Sequence, residues 1–427
     1  MSKIRNVVVA GDYAYIEGGA AKMAIQTAVL LSRHTDFHVY FIGGCGEACP
    51  ELRESSVICL LLGLPDLLQN SSKADAFIHG IYNETVYRKV TELFRMLDPA
   101  ETVLHVQAWT KVLTSAVFKA AHDCGIRIVL SVHDYFLACP NGGCYNYVSR
   151  EICTLKPMGL QCRVCNCDSR SYTYKIWRVL RQMKQNRVLR GIPMHYIFTS
   201  AYQREQLHAR GVPLSHRGQN RVIHESYIRN VINVGERHRV RAEANEIFLL
   251  VARMVPEKGV ALFCEAVTRA GVQAVAVGDG FLKGELEKKY PNITFTGWQT
   301  TEEIRQWTEK IRCFVFSSVW FEASPLIVPE MQSFGIPCIV TDCSAATDTM
   351  RDGENGFVVP VDAEKMADAI RKLADDEMVK RLSIATYEGF NAEECSAETY
   401  IQSLKKVYDG EERGHGDRVS VTQLENR

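Results

Sequence analysis

The sequence predicts an α/β protein of two similar halves, each a parallel sheet with helices on both faces, with a cleft between them. Three observations predict it. Apolar runs of strand length alternate with helical patterns, first over residues 7–132 and again over 248–360. A stretch at 211–242, rich in Arg, His, Asn and Gly and holding only short apolar pairs, separates the two series. A chain of 427 residues, 46% of them hydrophobic, suffices for two or three domains that each bury a core.

Charge and composition exclude several classes. Fifty basic residues balance fifty acidic ones, so nothing global draws the chain to nucleic acid, and any basic partner surface is local. No apolar run approaches the roughly 18–20 residues that span a bilayer. The opening MSKIRNVVVAGDY has no long apolar core and no small-residue cleavage site, so it reads as a first buried strand rather than a signal peptide. A cytoplasmic location follows, at the inner face of the membrane if a basic helix described below docks there. In a reducing compartment the fifteen cysteines are free thiols or metal ligands rather than disulfides.

The first half, residues 1–222, opens with a strand at 7–10, a loop and a helix at 21–31. Gly18 and Gly19 precede that helix, where glycine lets a backbone approach a ligand closely; a merely flexible loop would look the same. A strand at 38–42, a helix at 83–97, a strand at 103–106, a helix at 111–124 and a strand at 127–132 follow. His133 leaves the carboxyl end of that last strand, where ligands bind in open α/β sheets; a hydrogen-bonded loop histidine is the competing reading. An insertion at 139–167 then holds six of the fifteen cysteines. Cys162 and Cys165 have zinc-knuckle spacing, and Cys139 with Cys153 would complete a structural zinc site, with Cys144 and Cys167 as substitutes. A reduced thiol cluster or a redox pair fits the same residues. Residues 172–190 read as a basic helix in which Lys175, Arg178, Arg181, Lys184 and Arg187 recur every three positions beside Trp177. Such a face suits an anionic membrane, and equally a solvated surface. A strand at 195–199 and a helix at 202–209 end this half, and 223–245 is the linker.

The second half, residues 246–390, begins with a strand at 248–252 that runs into Arg253 and Lys258. Two cations at a strand end suit a pyrophosphate, though exposed loop charges would look alike. Helices at 260–270, 282–290 and 302–310 alternate with strands at 274–277 and 293–295. The stretch 313–342 then gives a strand, a loop with Glu322, a helix at 326–334 with Glu330, and another strand. Ser324 is placed to cap that helix, Pro325 to occupy its first position and Pro329 to bend it. The helix start would be an anion cradle beside two acidic acceptors; two surface glutamates on an ordinary βα unit are the plain alternative. A last strand at 356–360 and helices at 363–373 and 377–387 follow. Residues 391–408 form a helix expected to pack back on the first domain, and 409–427 a disordered tail. No G-x-G-x-x-G follows the first strand, and Gly278-Asp279-Gly280 lacks the third glycine, so a dinucleotide domain is disfavoured.

Several segments together carry a resemblance. They are LLVARMVPEKGVALFCEAV at 249–267, VGDGFLKGEL at 277–286, ITFTGW at 293–298, SSVWFEASPLIVPEMQSFGIPCIVTD at 317–342 and DGENGFVVP at 352–360, with Gly18-Gly19 and His133-Asp134 in the first half. The chain resembles the retaining glycosyltransferases of family 4, of the bacterial polysaccharide and lipopolysaccharide type. The resemblance implies a GT-B fold: two facing Rossmann-like domains, a central cleft, and a C-terminal helix returning to the first domain. It implies a nucleotide-sugar donor, UDP- or GDP-linked, and a glycan or lipid-linked acceptor. By the same resemblance Glu322 touches the transferred sugar and Glu330 the ribose. Backbone groups of Ala323, Ser324, Pro325 and Leu326 meet sugar and phosphates. Arg253 and Lys258 hold the pyrophosphate, Gly19 approaches it from the other domain, His133 reaches the sugar, and Trp298 sits in the base-binding loop. Many members have Glu-x-Phe-Gly where this chain has Glu322-Ala323-Ser324-Pro325, so Pro325 removes one N–H donor from the cradle.

No Asp-x-Asp occurs in the chain, so the usual carboxylate clamp for a divalent ion is missing. Transfer without a metal or other catalytic cofactor is expected, with the leaving charge met by Arg253, Lys258 and the helix start. Two alternatives remain: a nucleotide-sugar epimerase or phosphorylase on the same architecture, and a non-catalytic partner subunit.

Overall fold

In a computed structural model describing residues 3–67, 73–212, 224–232 and 235–410, the apolar runs become strands that helices cover on both faces. The first strands are β1 (Asn6–Tyr13), β2 (His38–Cys45), β3 (Ile58–Leu61), β4 (Thr102–Val106) and β5 (Arg127–Val132). A two-residue hairpin, β6 (Tyr145–Asn146) and β7 (Glu151–Ile152), lies in the cysteine-rich insertion. β8 (His195–Phe198) and β9 (His224–Tyr227) complete a seven-stranded sheet in the order β3-β2-β1-β4-β5-β8-β9, all parallel. The second sheet holds β10 (Ile247–Val251), β11 (Ala274–Val277), β12 (Ile293–Gly297), β13 (Ile311–Phe316), β14 (Cys338–Thr341) and β15 (Gly356–Val359). Its order is β12-β11-β10-β13-β14-β15, again all parallel. Parallel pairing forces crossover connections, and the helices in them bury both faces. Both sheets reverse their strand order beside the first strand of the half, between β1 and β4 and between β10 and β13. Crevices at the carboxyl ends open at such points.

The two domains meet through side chains. Phe321 and Ala323, from the loop after β13, are buried in the apolar cluster of the first domain. The Phe321 ring lies 6.0 Å from Tyr135 and 5.9 Å from Tyr202. Asp348 accepts the backbone N–H of Ala201 at 2.7 Å. The helix Ala397–Asp409 lies on the first domain, where Tyr400, Ile401, Leu404, Val407 and Tyr408 join the cluster under β1.

Several elements differ from the expectations. The helix placed at 111–124 begins only at Ala116. The Asp12 carboxylate instead accepts the N–H groups of Lys111, Val112 and Leu113 at 2.8–2.9 Å, and Thr114 takes φ 56°, which breaks helical continuity. β9 lies inside the stretch read as linker, yet pairs with β8 as an edge of the first sheet. β3 and the helix Lys73–Ile81 went unread; β3 is a short edge strand with Ile58 exposed, so it lacks a buried pattern. Of the tail expected at 409–427, residues 411–427 lie outside the described residues. No helix of the described residues is long and apolar enough to cross a membrane.

Candidate active site

The loops after β10 and β13 are built against each other. Gly259 has φ 65°, and a Cβ there would lie 1.7 Å from the carbonyl oxygen of Ser317, so glycine alone permits the contact. Ser318 Oγ and the N–H of Val319 donate to the carbonyl of Glu257 at 3.3 and 3.0 Å. This brings Lys258 Nζ onto Glu322 Oε1 as an ion pair. The indole N–H of Trp320 and Ser318 Oγ donate to the same oxygen at 2.7 and 3.0 Å. Burial alone would raise the Glu322 carboxyl, but the charge of Lys258 and these donors outweigh it and hold it below the usual range. Arg253 stands exposed at the same end of β10.

The helix carrying Glu330 is Ile327–Ser333, shorter than its sequence pattern. Ser324 does not cap it: its hydroxyl accepts from Asn230 Nδ2 at 3.1 Å, a contact made possible by the chain returning from β9. Among the described residues no acceptor meets the backbone N–H of Ser324 or Leu326, and Pro325 has none to offer. Glu330 is raised by burial, partly offset by Lys22 and Arg305. Lys22 belongs to the helix that opens at Gly19, so the glycine loop of the first domain faces Glu330 across the cleft. Gly18 has φ 84° and ψ −177°, a conformation open to glycine, and a Cβ on Gly18 or Gly19 would meet nothing within 4 Å. Trp298 follows β12 at the edge of the second sheet and is 73% exposed.

His133 follows β5 in the first domain, and its support was not read from the sequence. Its Nε2 lies 2.6 Å from Gln107 Oε1, an acceptor, so Nε2 carries the proton. Gln107 Nε2 donates to Thr27 Oγ1 at 3.1 Å, and Thr27 Oγ1 meets the Tyr400 hydroxyl at 2.8 Å. His105 bonds Tyr408 through Nδ1 at 2.7 Å and Ser131 through Nε2 at 2.8 Å. A buried polar chain thus runs from His133 to the C-terminal helix. Burial pushes His133 down to about 4, so it is neutral at physiological pH. Burial likewise raises Asp134 to about 6, although its Oδ1 accepts the N–H of Phe136 at 2.9 Å. The one signal for Gln107 in the sequence is its place directly after a buried strand, as for His133.

The structure also describes the insertion and its neighbouring helix. All fifteen cysteines are free thiols. Among the described residues no group of three or more His, Cys, Asp or Glu stands in a metal-holding arrangement, while Cys139, Cys162 and Cys165 all lie near enough to Cys153 to help burial raise its thiol. Cys139 is paired by a hydrogen bond with Cys144, which pulls its thiol down, and Cys162 Sγ faces the Lys175 ammonium at 3.9 Å. That contact also alters the helix Tyr172–Leu189. Lys175 points inward and is fully buried, and Arg181 is buried with it, bonding the carbonyls of Thr110 and Pro140 at 3.1 and 3.2 Å. The regular basic stripe is therefore half internal. The outer face carries Lys184 and Arg187 together with Tyr172, Ile176, Leu180 and Met183, these four each 42–48% exposed.

Comparison with known proteins gives a family match and a shared fold. Residues 245–376 match the family model described as glycosyl transferases group 1. The lipopolysaccharide core biosynthesis glycosyltransferase LpsE of Rhizobium meliloti is 31% identical over 172 residues, covering 37% of this chain and 49% of that one. The UDP-Gal:alpha-D-GlcNAc-diphosphoundecaprenol alpha-1,3-galactosyltransferase of Escherichia coli is 27% identical over 152 residues, covering 32% and 38%. The chain thus spans about half or less of the length of the curated relatives it matches. The crystal structure of Anabaena HepE in complex with UDP has a TM-score of 0.65 at 12% identity, over 95% of this chain and 100% of that one. The sequence match to the group 1 glycosyltransferases thus covers residues 245–376, and the likeness to solved structures shows that the chain has the GT-B fold.

Proposed function

We propose that the chain transfers a sugar from a nucleotide-sugar donor to a hydroxyl of a glycan or lipid-linked acceptor, with retention of anomeric configuration and without a metal on the diphosphate. The observation that carries this reading is the set of Arg253, Lys258 and ionised Glu322 at the carboxyl ends of β10 and β13, with His133 at the carboxyl end of β5 in the other domain. The donor diphosphate lies against Arg253, Lys258 and the free N–H groups of Ser324 and Leu326. Lys258 then exchanges its contact with Glu322 for phosphate, which frees the carboxylate for the sugar hydroxyls. Glu330 takes the ribose, and Gly18 and Gly19 let the first domain approach. His133, fixed by Gln107, turns its unprotonated Nδ1 to the sugar.

In the transfer the bond from the anomeric carbon to the diphosphate oxygen breaks as the bond to the acceptor oxygen forms on the same face. The acceptor proton passes to the departing phosphate oxygen. The leaving charge is met by fixed cations and backbone dipoles, which act strongly where water is excluded. UDP is a reasonable first donor nucleotide, since HepE was crystallised with UDP and the Escherichia coli relative is named for UDP-Gal. GDP-sugars are the comparison.

The test is a thermal-shift screen of UDP- and GDP-sugars, because a ligand that binds only the native state raises its stability. One donor class should raise Tm in the native chain and much less in Arg253→Ala. Turnover of that donor should survive EDTA. No shift with any nucleotide sugar would overturn the reading, and loss of turnover restored by magnesium would overturn its metal-free part.

A further inference from the structure

Around Glu322 the chain is extended. Glu322 forms a parallel bridge with Ser344, and its carbonyl accepts the Ala345 N–H at 3.0 Å. Side chains alternate across an extended segment, so Phe321 and Ala323 leave the side opposite Glu322. They do not enter the core of their own domain. Both are buried in the apolar cluster of the first domain. Their outer neighbours reach across as well. A Cβ on Gly143 would lie 2.8 Å from the Trp320 ring, and the Ser324 hydroxyl takes its bond from Asn230. Trp320, Phe321, Ala323 and Ser324 therefore all touch groups outside the second domain. Between them the Glu322 carboxylate bonds Lys258, Ser318 and Trp320 within it.

Phe321 makes the most elaborate of these contacts. Besides Tyr135 and Tyr202, its ring meets the Arg210 guanidinium, 4.4 Å from the ring centre. A cation over a ring face away from water adds to what apolar burial contributes. Arg210 is itself fixed, because it donates to Gln206 Oε1 at 2.7 Å. Tyr202 lies in the helix Ala201–Ala209, and Arg210 ends it. The start of that helix is tied to the second domain in turn, since Asp348 accepts the N–H groups of Ala201 and Tyr202. One first-domain helix thus grips the second domain at two places, and one of them is the residue next to Glu322.

The placement matters because the grip of Lys258 on Glu322 is temporary. When a donor diphosphate takes Lys258, the carboxylate loses its ion pair. Its direction then depends on the backbone on either side, which Phe321 and Ala323 hold. Ala323 offers one methyl group to that task, and Phe321 a whole ring.

We infer that Phe321 is a positioning residue for the transferred sugar: its ring, caged by Tyr135, Tyr202 and Arg210, keeps Glu322 aimed at the sugar once the donor has taken Lys258. The inference rests on the glycosyl-transfer reading and adds a residue that touches neither the pyrophosphate nor the ribose. A contact that only joined the domains would, when weakened, affect every ligand alike. A contact that aims Glu322 affects turnover and spares the diphosphate contacts.

The test is donor turnover in the full chain, read as release of the nucleoside diphosphate, beside calorimetric affinity for that nucleoside diphosphate, UDP or GDP as the screen above selects. Phe321→Ala should lower kcat roughly 30-fold or more, while the affinity stays within about threefold of native. Phe321→Leu, which refills the cage with apolar bulk, should bring kcat back to within about fivefold of native. Arg210→Met should lower kcat by about three- to tenfold and cost nothing further in the Phe321→Ala background, since both act through one contact. Native kcat in Phe321→Ala would overturn the inference. So would equal losses of kcat and affinity, no recovery in Phe321→Leu, or additive losses in the double variant. If Phe321→Ala does not fold, Arg210→Met decides, and native kcat there is the overturning result. Donor stabilisation with none of these losses overturns this inference alone, whereas absence of donor stabilisation in the native chain overturns the reading on which it rests.

Discussion

At the end of β13, Glu322 is held by Lys258, Trp320 and Ser318, the farthest of them 64 positions away in sequence. At the end of β5, His133 is held through Gln107 and Thr27 by Tyr400, and the Thr27–Tyr400 contact spans 373 positions. The first arrangement is ionic, lies between two adjacent loops, and can open when a ligand brings its own charge. The second is a set of neutral hydrogen bonds in a dry core. His133 Nε2 is committed to Gln107 and Gln107 to Thr27, so it fixes one ring orientation and one tautomer. One sheet therefore presents groups that exchange partners on binding, and the other presents a group that stays where it is. A donor carrying two phosphates suits the first, and a sugar that must be oriented suits the second.

The largest effects should fall on the ionic side. Arg253→Ala and Lys258→Met should each lower kcat about 10²–10³-fold, the equivalent of about 2.7–4 kcal/mol for one lost oxyanion donor, as steady-state kinetics with the donor found above would show. Lys258→Met carries a second readout. The folded pKa of Glu322 is depressed, so its pairing stabilises the fold above the ordinary carboxylate range of about 4.5 and is lost as pH falls through the lowered folded value. The variant should therefore melt below the native chain at pH 7, and the gap should close under acid conditions. A gap that stays constant with pH would mean that the pair contributes packing rather than charge.

On the neutral side the expected loss is smaller. Gln107→Leu should lower kcat roughly 10–100-fold with a smaller change in donor KM, because it loosens His133 on the sugar while the diphosphate and ribose contacts stay in place. The decisive measurement is the double variant with His133→Ala. If Gln107 acts through His133, the pair loses no more than His133→Ala alone. Additive losses would assign Gln107 a separate role.

The same contrast explains what could be read from the sequence. Arg253 and Lys258 share one loop, and Glu322 and Glu330 lie eight positions apart on one loop and helix, so local order carries most of that cluster. Gln107 and Asp12 look like any polar residue after an apolar strand. Their partners, Thr27 in one case and the N–H groups of Lys111, Val112 and Leu113 in the other, are set by which strands lie side by side. Regular spacing told part of the helix at 172–190, where Lys184 and Arg187 are exposed but Lys175 and Arg181 are buried. Cations every third residue in 172–190 gave a basic face, but a side chain turns toward whatever satisfies it. Lys175 found the Cys162 thiol and Arg181 found two carbonyls, which left Ile176, Leu180 and Met183 outside.

The smallest predicted effect probes the far end of the neutral chain. Tyr408→Phe removes the hydroxyl that meets His105 Nδ1 and leaves the ring, which packs edge-on against His105 at 5.7 Å. Burial pushes His105 down to about 3, so it is neutral and Nδ1 needs a partner in either tautomer. The loss should be about 1 kcal/mol, read from chemical denaturation with an unchanged m value. Activity should fall by less than in Gln107→Leu, because His105 touches the chain only at Gln107 Nε2, 3.3 Å away, while Gln107 Oε1 still holds His133. If Tyr408→Phe instead matched Gln107→Leu in kcat, orientation of His133 would depend on the whole length of the chain, and the C-terminal helix would set the geometry of the site.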